Sequence, residues 1–509
     1  MQDRKNLLGL IVILILGIVV SIWAYYYLVI PRDIFYWDES HHALYGLQIF
    51  SDLKNLNWEQ FWFDTNKQAL WPPVHSWFLG AWFLIFGPSY VSARSFSLLP
   101  FLGIALLTYL IAVKINRENG VLVGISSSFL VLISSAFLKQ GTECMIEALS
   151  AFFSLLFFFF FLHSVKKDRN LSYFLSGLLL GFLFIVKYQY AVVFGFAVFV
   201  FGILERLWVK YGLLFAGFFA VVALWFLIPP TDKKIGMMFY AWGTAAWSHG
   251  GTVTLWDKIT YYPLGIVKYY SFSPFLGWFL FLGIIYGILN WKDKTIRMLT
   301  VFVAVPLILS AIIKHQEIRY ISLFIPLLYI LFFTLLNDFI KPKKVLYGLL
   351  PVLGVCGVIF FSPGAFKYAH NDDYVIKPPF QENKISNLED VLNFFYDVIP
   401  PGSSVSCAFQ SNYFTPYTMT FHFYDRFNFY SSYMTQDPNF LKSRYFITIE
   451  ILDKKFPYFW EFEHEERIPQ LGRWNAFLKE AERRGQVKLY EKKEFSNLYL
   501  RAIVYEKSI

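Results

Sequence analysis

Hydrophobic residues collect into long runs separated by short polar turns. The runs fall near residues 7–30, 94–113, 120–138, 143–163, 171–186, 190–204, 211–228, 272–290, 296–313, 320–337 and 345–362. A bilayer core about 30 Å thick needs about 20 apolar helical residues, so the pattern predicts about 11 transmembrane helices. One stretch departs from this rhythm. Trp71 to Val113 is too long for a single span, and Gly87-Pro88 breaks it. Its first piece, Pro72 to Phe86, is short for a crossing and reads as a short span or as a helix lying in the interface.

Charge separates those two readings. Suppose the piece stays on one side and the N-terminus is cytoplasmic. The inner loops then hold their cations in very short turns, such as Arg4-Lys5, Lys166-Lys167-Asp168-Arg169 and Lys292 with Lys294 and Arg297. The outer cations, Lys54, Lys139 and Lys268 among them, are spread over much longer loops. Letting 72–86 cross would reverse the bias, so the positive-inside tendency favours the interfacial helix. On that topology the loop after the first span, the turns at Glu143, Lys187 and Arg319, the loop 229–271 and the tail all share the outer face.

The first outer loop, Pro31 to Trp71, mixes aromatic and polar residues, and His42–Lys54 and Trp58–Asp64 read as surface helices. The second, Pro229 to Ser271, is rich in Trp, Tyr and Gly: a membrane-interface belt, or a surface on which sugars stack. From about Ser362 the chain turns polar. Ile385–Val398 reads as an amphipathic helix, and Val405–Phe409 and Tyr445–Ile449 as short buried strands. Trp474–Arg484 reads as a second helix, and Val487–Phe495 with Leu498–Tyr505 as a hairpin. The expected fold is therefore an all-α polytopic membrane domain over 1–362, with juxtamembrane helices in its first outer loop. A small soluble α/β domain over 363–509 follows it outside the cytoplasm.

Composition agrees. Of 509 residues 56% are hydrophobic, 21% aromatic and only 16% charged, with a mean hydropathy of +0.46, against about 25% charged in a soluble protein. The net charge of +9 would suit a nucleic-acid partner. No stretch is basic enough for one, and cytoplasmic loops account for the excess. Cys144 and Cys356 lie in or beside apolar runs and only Cys407 falls in the tail, so the tail has no internal disulfide and the chain no zinc or haem spacing. The run 7–30 lacks a small-residue cleavage site and reads as an uncleaved first span.

Ionisable groups beside membrane spans are costly and need a reason. Tyr36-Trp37-Asp38-Glu39-Ser40-His41-His42 follows the first span directly. Asp38 is the candidate general base, with Glu39 binding an acceptor or orienting Asp38; two solvated acids in an ordinary loop fit equally well. His41 and His42 diverge by about 100° on a helix and do not form a ligand pair. Glu143 and Glu147 stand four apart at the head of a predicted span and so share a helix face. Complementing the helix dipole explains Glu143 well and Glu147 poorly. Lys187 marks a turn between two spans, as a snorkelling lysine or a phosphate ligand. Arg319-Tyr320 follows Glu317 at the head of another span; its guanidinium suits a phosphate, or a salt bridge to Glu317. Arg94 and Lys67 are further cationic candidates.

Taken together these pieces resemble the GT-C glycosyltransferases, in particular the protein O-mannosyltransferase and lipid A aminoarabinose transferase branch. The resemblance is carried by Trp37-Asp38-Glu39 after the first span, Pro72-Pro73 opening the segment that ends Phe86-Gly87, and Arg94. It is carried further by Glu143 to Glu147, Lys187, and Arg319-Tyr320 before a Pro326-containing span, over roughly 7–340. It implies an integral membrane enzyme of the cytoplasmic membrane. Such an enzyme moves a hexose or pentose from a polyprenyl-phosphate carrier to a lipid, glycan or protein acceptor, with inversion and without a metal or other cofactor. Asp38, with Glu39, would serve the acceptor; Lys187, Arg319, Arg94 and Lys67 would hold the donor phosphate. Glu143, Glu147, His42 and Tyr320 would form an acceptor or second acidic site. Two departures stand out: Trp71 replaces the basic residue before Pro-Pro, and the second acidic motif has Glu where Asp is common.

The competing class is a transporter or flippase of lipid-linked sugars, which calls for charges near mid-membrane and repeat-like halves. A receptor or scaffold acting through the tail is the other, and it predicts that Asp38→Asn is silent.

Overall fold

The computed structural model describes residues 2–116, 119–206, 208–243, 254–271, 274–312, 316–340, 388–408, 413–431, 443–453 and 467–508. These residues divide into two compact units. One comprises the residues up to Ile30, Ile49–Gly87 and the described residues from Ser92 to 340. The other comprises Pro31–Gln48, Pro88–Val91 and the described residues from 388 on. The apolar run 345–362 and the expected boundary at 362/363 lie outside the described residues.

Helices follow the apolar runs in chain order: α1 (Gln2–Ala24), α2 (Asp38–Lys54), α3 (Trp58–Asn66), α4 (Val74–Phe86), α5 (Tyr90–Ser95), α6 (Leu98–Ile115), α7 (Gly120–Ile133), α8 (Ser135–Thr142) and α9 (Ile146–Lys167). Then come α10 (Asn170–Val186), α11 (Tyr188–Glu205), α12 (Trp208–Leu227), α13 (Thr231–Gly243), α14 (Leu255–Tyr269), α15 (Pro274–Phe279), α16 (Leu282–Leu289), α17 (Lys294–Ile312) and α18 (Ile325–Phe339). Among the described residues six helices are long and apolar enough to cross a membrane, or seven if the bent pair α7 and α8 counts as one span. The chain is a multi-pass membrane protein. At 13 residues, α4 is about 20 Å long and falls short of the hydrocarbon thickness.

Three expectations need correction. The run 120–138 is not one continuous helix: the chain breaks at Ser134 and bends by 62°. Ser134 is extended there, and the hydroxyls of Ser134 and Ser135 donate to the Tyr269 carbonyl at 3.1 and 3.0 Å. Glu143 and Glu147 do not share a helix face either. Glu143 and Met145 are extended, and α9 begins only at Ile146. Finally, the described residues of the loop 229–271 form two helices. The second, α14, opens on a capping box in which Thr254 and Asp257 exchange hydrogen bonds, a start signal legible in the sequence.

Small residues set the closest packing. A Cβ on Gly177 of α10 would sit 1.9 Å from the Leu214 carbonyl oxygen of α12, and one on Gly217 would sit 2.3 Å from that of Phe174. These two helices touch backbone to backbone, an approach only glycine permits in a membrane bundle. That contact fixes α10, whose end delivers Lys187.

The second unit holds a five-stranded sheet of order β2-β1-β3-β5-β4: β1 (Ser404–Cys407), β2 (Asn428–Ser431), β3 (Tyr445–Ile451), β4 (Val487–Phe495) and β5 (Leu500–Lys507). β1 pairs parallel with β2 and β3; β5 pairs antiparallel with β3 and β4. The helix Leu388–Val398 buries Leu388, Val391, Leu392 and Phe395, the spacing of an amphipathic face. Helix Arg467–Arg483 starts earlier than its periodicity predicted; Trp474 anchors it by donating Nε1–H to the Ile447 carbonyl at 3.1 Å. Helices alternating with short strands give the expected small α/β part.

Candidate active site

The stretch that carries Asp38 belongs to the second unit. Trp37 adopts a left-handed backbone, φ 42°, which for a residue with a side chain costs about 1–2 kcal/mol. That turn starts α2, so Asp38 stands half-buried in the first turn, where the helix dipole favours a carboxylate. Glu39 behaves differently. It is 3% exposed, its Oε2 accepts the Tyr36 N–H at 3.2 Å, and Arg32 lies 3.7 Å away. The adjacent acids are thus unequal: Glu39 closes the turn, and Asp38 keeps some exposure. As the sequence predicted, the two histidines part. His41 packs against Tyr417 with ring centroids 3.3 Å apart and planes tilted by 38°, and burial lowers its pKa to about 4. His42 is buried and engaged in the protein.

The second cluster lies in the first unit. Glu147, at the start of α9, is 2% exposed. Its Oε1 accepts from Lys187 Nζ at 2.7 Å and lies 3.4 Å from Arg319 Nε. Arg319 also pairs with Glu317. Two cations and two carboxylates therefore sum to zero formal charge. Lys187 Nζ sits 4.8 Å from the Tyr190 ring centroid and 4.6 Å from that of Tyr320, within cation–π range. The turn that presents Arg319, a 3₁₀ helix over Ile318–Ile321, is fastened by three hydroxyls. Tyr190 and Ser322 donate to the Arg319 carbonyl at 2.7 and 2.9 Å, and Tyr270 donates to that of Ile318 at 3.0 Å. Of the two cations, Lys187 has a side chain 5% exposed and Arg319 one 21% exposed, so Arg319 is the more accessible.

Lys187, Arg319, Tyr320 and Glu147 thus come together, and Glu147 joins the cations. Two of the remaining candidates have partners of their own. Glu143 faces Lys139 at 3.8 Å, and its carbonyl accepts the Ser97 hydroxyl. Lys67 pairs with Asp64; the neighbouring Asp52 has its carboxyl pushed up to about 6 by burial and by the Asp64 charge. Arg94 is fully buried and engaged inside the protein. Sequence reasoning missed Tyr190 and Ser322, which read as span residues, and Tyr270, which falls at the end of the loop 229–271. It also missed Lys234 of α13, a buried ammonium held by Asn66 Oδ1 and the carbonyls of Trp225 and Ile228 at 2.7–3.0 Å. Among the described residues no three His, Cys, Asp or Glu side chains gather as metal ligands.

Residues 71–231 match the family model of dolichyl-phosphate-mannose-protein mannosyltransferases. No curated protein sequence matches the chain. Among solved structures, ArnT from Cupriavidus metallidurans bound to undecaprenyl phosphate superposes with a TM-score of 0.60 at 13% identity, over 97% of this chain and 97% of that one. The Archaeoglobus fulgidus oligosaccharyltransferase in complex with zinc and sulfate gives 0.53 at 11%, over 91% and 70%. AglB of the same organism, with an inhibitory peptide and a dolichol-phosphate, gives 0.50 at 10%, over 99% and 74%. The chain has the fold of the GT-C membrane glycosyltransferases. Within that fold, residues 71–231 carry the sequence pattern of the mannosyltransferase branch.

Proposed function

We propose that this protein is a membrane glycosyltransferase that moves a sugar from a polyprenyl-phosphate donor to a lipid, glycan or protein acceptor. The reaction takes place at the outer face of the cytoplasmic membrane, with the C-terminal α/β part outside the cytoplasm. The observation that carries the reading is the Glu147 carboxylate shared by Lys187 and Arg319, with Arg319 partly open and its turn tied down by Tyr190, Ser322 and Tyr270. Preorganised cations of this kind stabilise a departing phosphate.

In the step we infer, the acceptor hydroxyl or amine gives its proton to the Asp38 carboxylate. Its lone pair forms a bond to the anomeric carbon as the bond from that carbon to the phosphate oxygen breaks. The electron pair leaves on polyprenyl phosphate, and a single in-line displacement inverts the anomeric centre. Arg319 meets the added charge directly. Lys187 acts through its field, because its ammonium is bonded to Glu147. Glu147 therefore works on the donor side, and Glu143 and His42 are left to the acceptor side. Lys67 and Arg94 support the donor side at most indirectly, since both are already engaged. The reading needs no metal: ammonium and guanidinium supply the positive charge.

The test is to incubate the purified protein with a panel of polyprenyl-phosphate pentoses and hexoses and measure released polyprenyl phosphate. Release that depends on Asp38 and Arg319 is the expected outcome. No release from any donor, with the protein folded, would overturn the reading.

A further inference from the structure

The C-terminal α/β part is bonded, side chain by side chain, to the stretch that carries Asp38. Asp33 accepts the N–H groups of Leu388 and Glu389 at 2.8 and 3.0 Å, capping the helix Leu388–Val398. Phe35, wholly buried, packs edge-on between Tyr90 and Phe421 with centroids 4.7 and 5.0 Å away. Tyr36 meets Tyr413 at 5.1 Å. His41 lies on Tyr417.

The most specific tie is a chain of hydroxyls. Ser40 Oγ donates to the Trp37 carbonyl at 2.6 Å, so its own proton is used. The 2.8 Å contact between Ser40 Oγ and Thr415 Oγ1 must then run from Thr415 to Ser40. Thr415 in turn accepts the Thr418 N–H at 2.9 Å and lies 3.0 Å from the Thr418 hydroxyl. Ser40, Thr415 and Thr418 are all buried. The carbonyl at the end of this chain belongs to Trp37, the residue with the left-handed backbone directly before Asp38. Such a conformation persists only where its surroundings hold it.

We propose that the C-terminal α/β part is a positioning element for the catalytic base: Thr415, through Ser40, fixes the strained Trp37 turn that aims Asp38. The inference rests on the reading of Asp38 as the base. It gives the C-terminal part a role in the rate of the step and none in donor affinity. Small misplacements of a reacting group lower rates steeply, about 100-fold for 1 Å.

The experiment compares Thr415→Val, which keeps the shape and loses the hydroxyl, with Thr415→Ser, which restores it, in the full-length protein. Sugar release and thermal unfolding are measured for each, with hydrogen exchange over residues 36–42. Thr415→Val should lower kcat about tenfold or more, leave the donor KM within about twofold and speed exchange across the Trp37 turn. Thr415→Ser should recover wild-type kcat. Should Thr415→Val lose its unfolding transition, Thr418→Val interrupts the same chain one hydroxyl further out and replaces it. Wild-type kcat in the folded valine variant, with Asp38→Asn inactive, overturns the positioning role alone. Full activity in Asp38→Asn overturns the underlying reading of the base.

Discussion

Lys187 Nζ and Glu147 Oε1 lie 2.7 Å apart, with side chains 5% and 3% exposed. Breaking a buried pair by removing one charge is far more damaging than replacing both. Glu147→Gln should therefore destabilise the membrane unit by about 3–5 kcal/mol, read as a lower unfolding temperature in detergent. Glu147→Gln with Lys187→Met should regain most of that loss without regaining sugar transfer. Recovery of transfer in the double variant would remove Lys187 from the donor site.

Arg319 is held between Glu147 and Glu317. Glu317→Gln leaves the guanidinium with a weaker competitor, so the donor KM should fall several-fold. Arg319→Lys keeps the charge but loses the planar fork, and the donor KM should rise about tenfold. Steady-state kinetics on a polyprenyl-phosphate sugar decide both, and unchanged values would take Arg319 off the phosphate.

Asp38 and Glu39 should respond unequally. Asp38→Asn removes the proposed base and should lower kcat by about 10³-fold or more with donor binding kept. Glu39→Gln retains an acceptor for the Tyr36 N–H and should leave measurable turnover. Equal losses in the two variants would contradict the division of roles.

The second unit should lose stability in mild acid. Burial lowers the pKa of His41 and of His422 to about 4, below the ordinary value of 6.5. Tyr90 Oη lies 3.0 Å from His422 Nδ1. The unfolded chain takes up protons on these rings below pH 6.5 while the folded one does not, so this contribution is fully present above pH 6.5 and is lost as pH falls toward 4. Unfolding followed across that range should show a midpoint dropping with pH. The slope should be shallower in His422→Phe.

Much of this architecture is legible in the sequence because hydrophobic length and cation placement are strong physical constraints. They mark out the long apolar helices and the shortness of α4. Local rules fail where tertiary partners decide. Ser134 breaks a run that composition alone reads as continuous, because its hydroxyl finds the Tyr269 carbonyl more than a hundred residues away. Glu147 is readable as a costly acid, yet its partners Lys187 and Arg319 come from other helices, so spacing could not pair it with them. Tyr190 and Ser322 look like ordinary span residues until their hydroxyls are seen on the Arg319 carbonyl. The link between Ser40 and Thr415 joins positions 375 residues apart, beyond the reach of any periodicity.

The balance among Glu147, Lys187, Glu317 and Arg319 bears on selectivity. A cluster whose formal charges cancel exerts little long-range pull, so chloride or inorganic phosphate from the medium meets scant attraction at Arg319. A head group at Arg319 competes with Glu317 for the guanidinium, and that exchange is close to even in charge. The hydrocarbon tail and the sugar must then furnish the net driving force. The proposed enzyme would accordingly ignore water-soluble sugar phosphates and respond to donors delivered from within the bilayer.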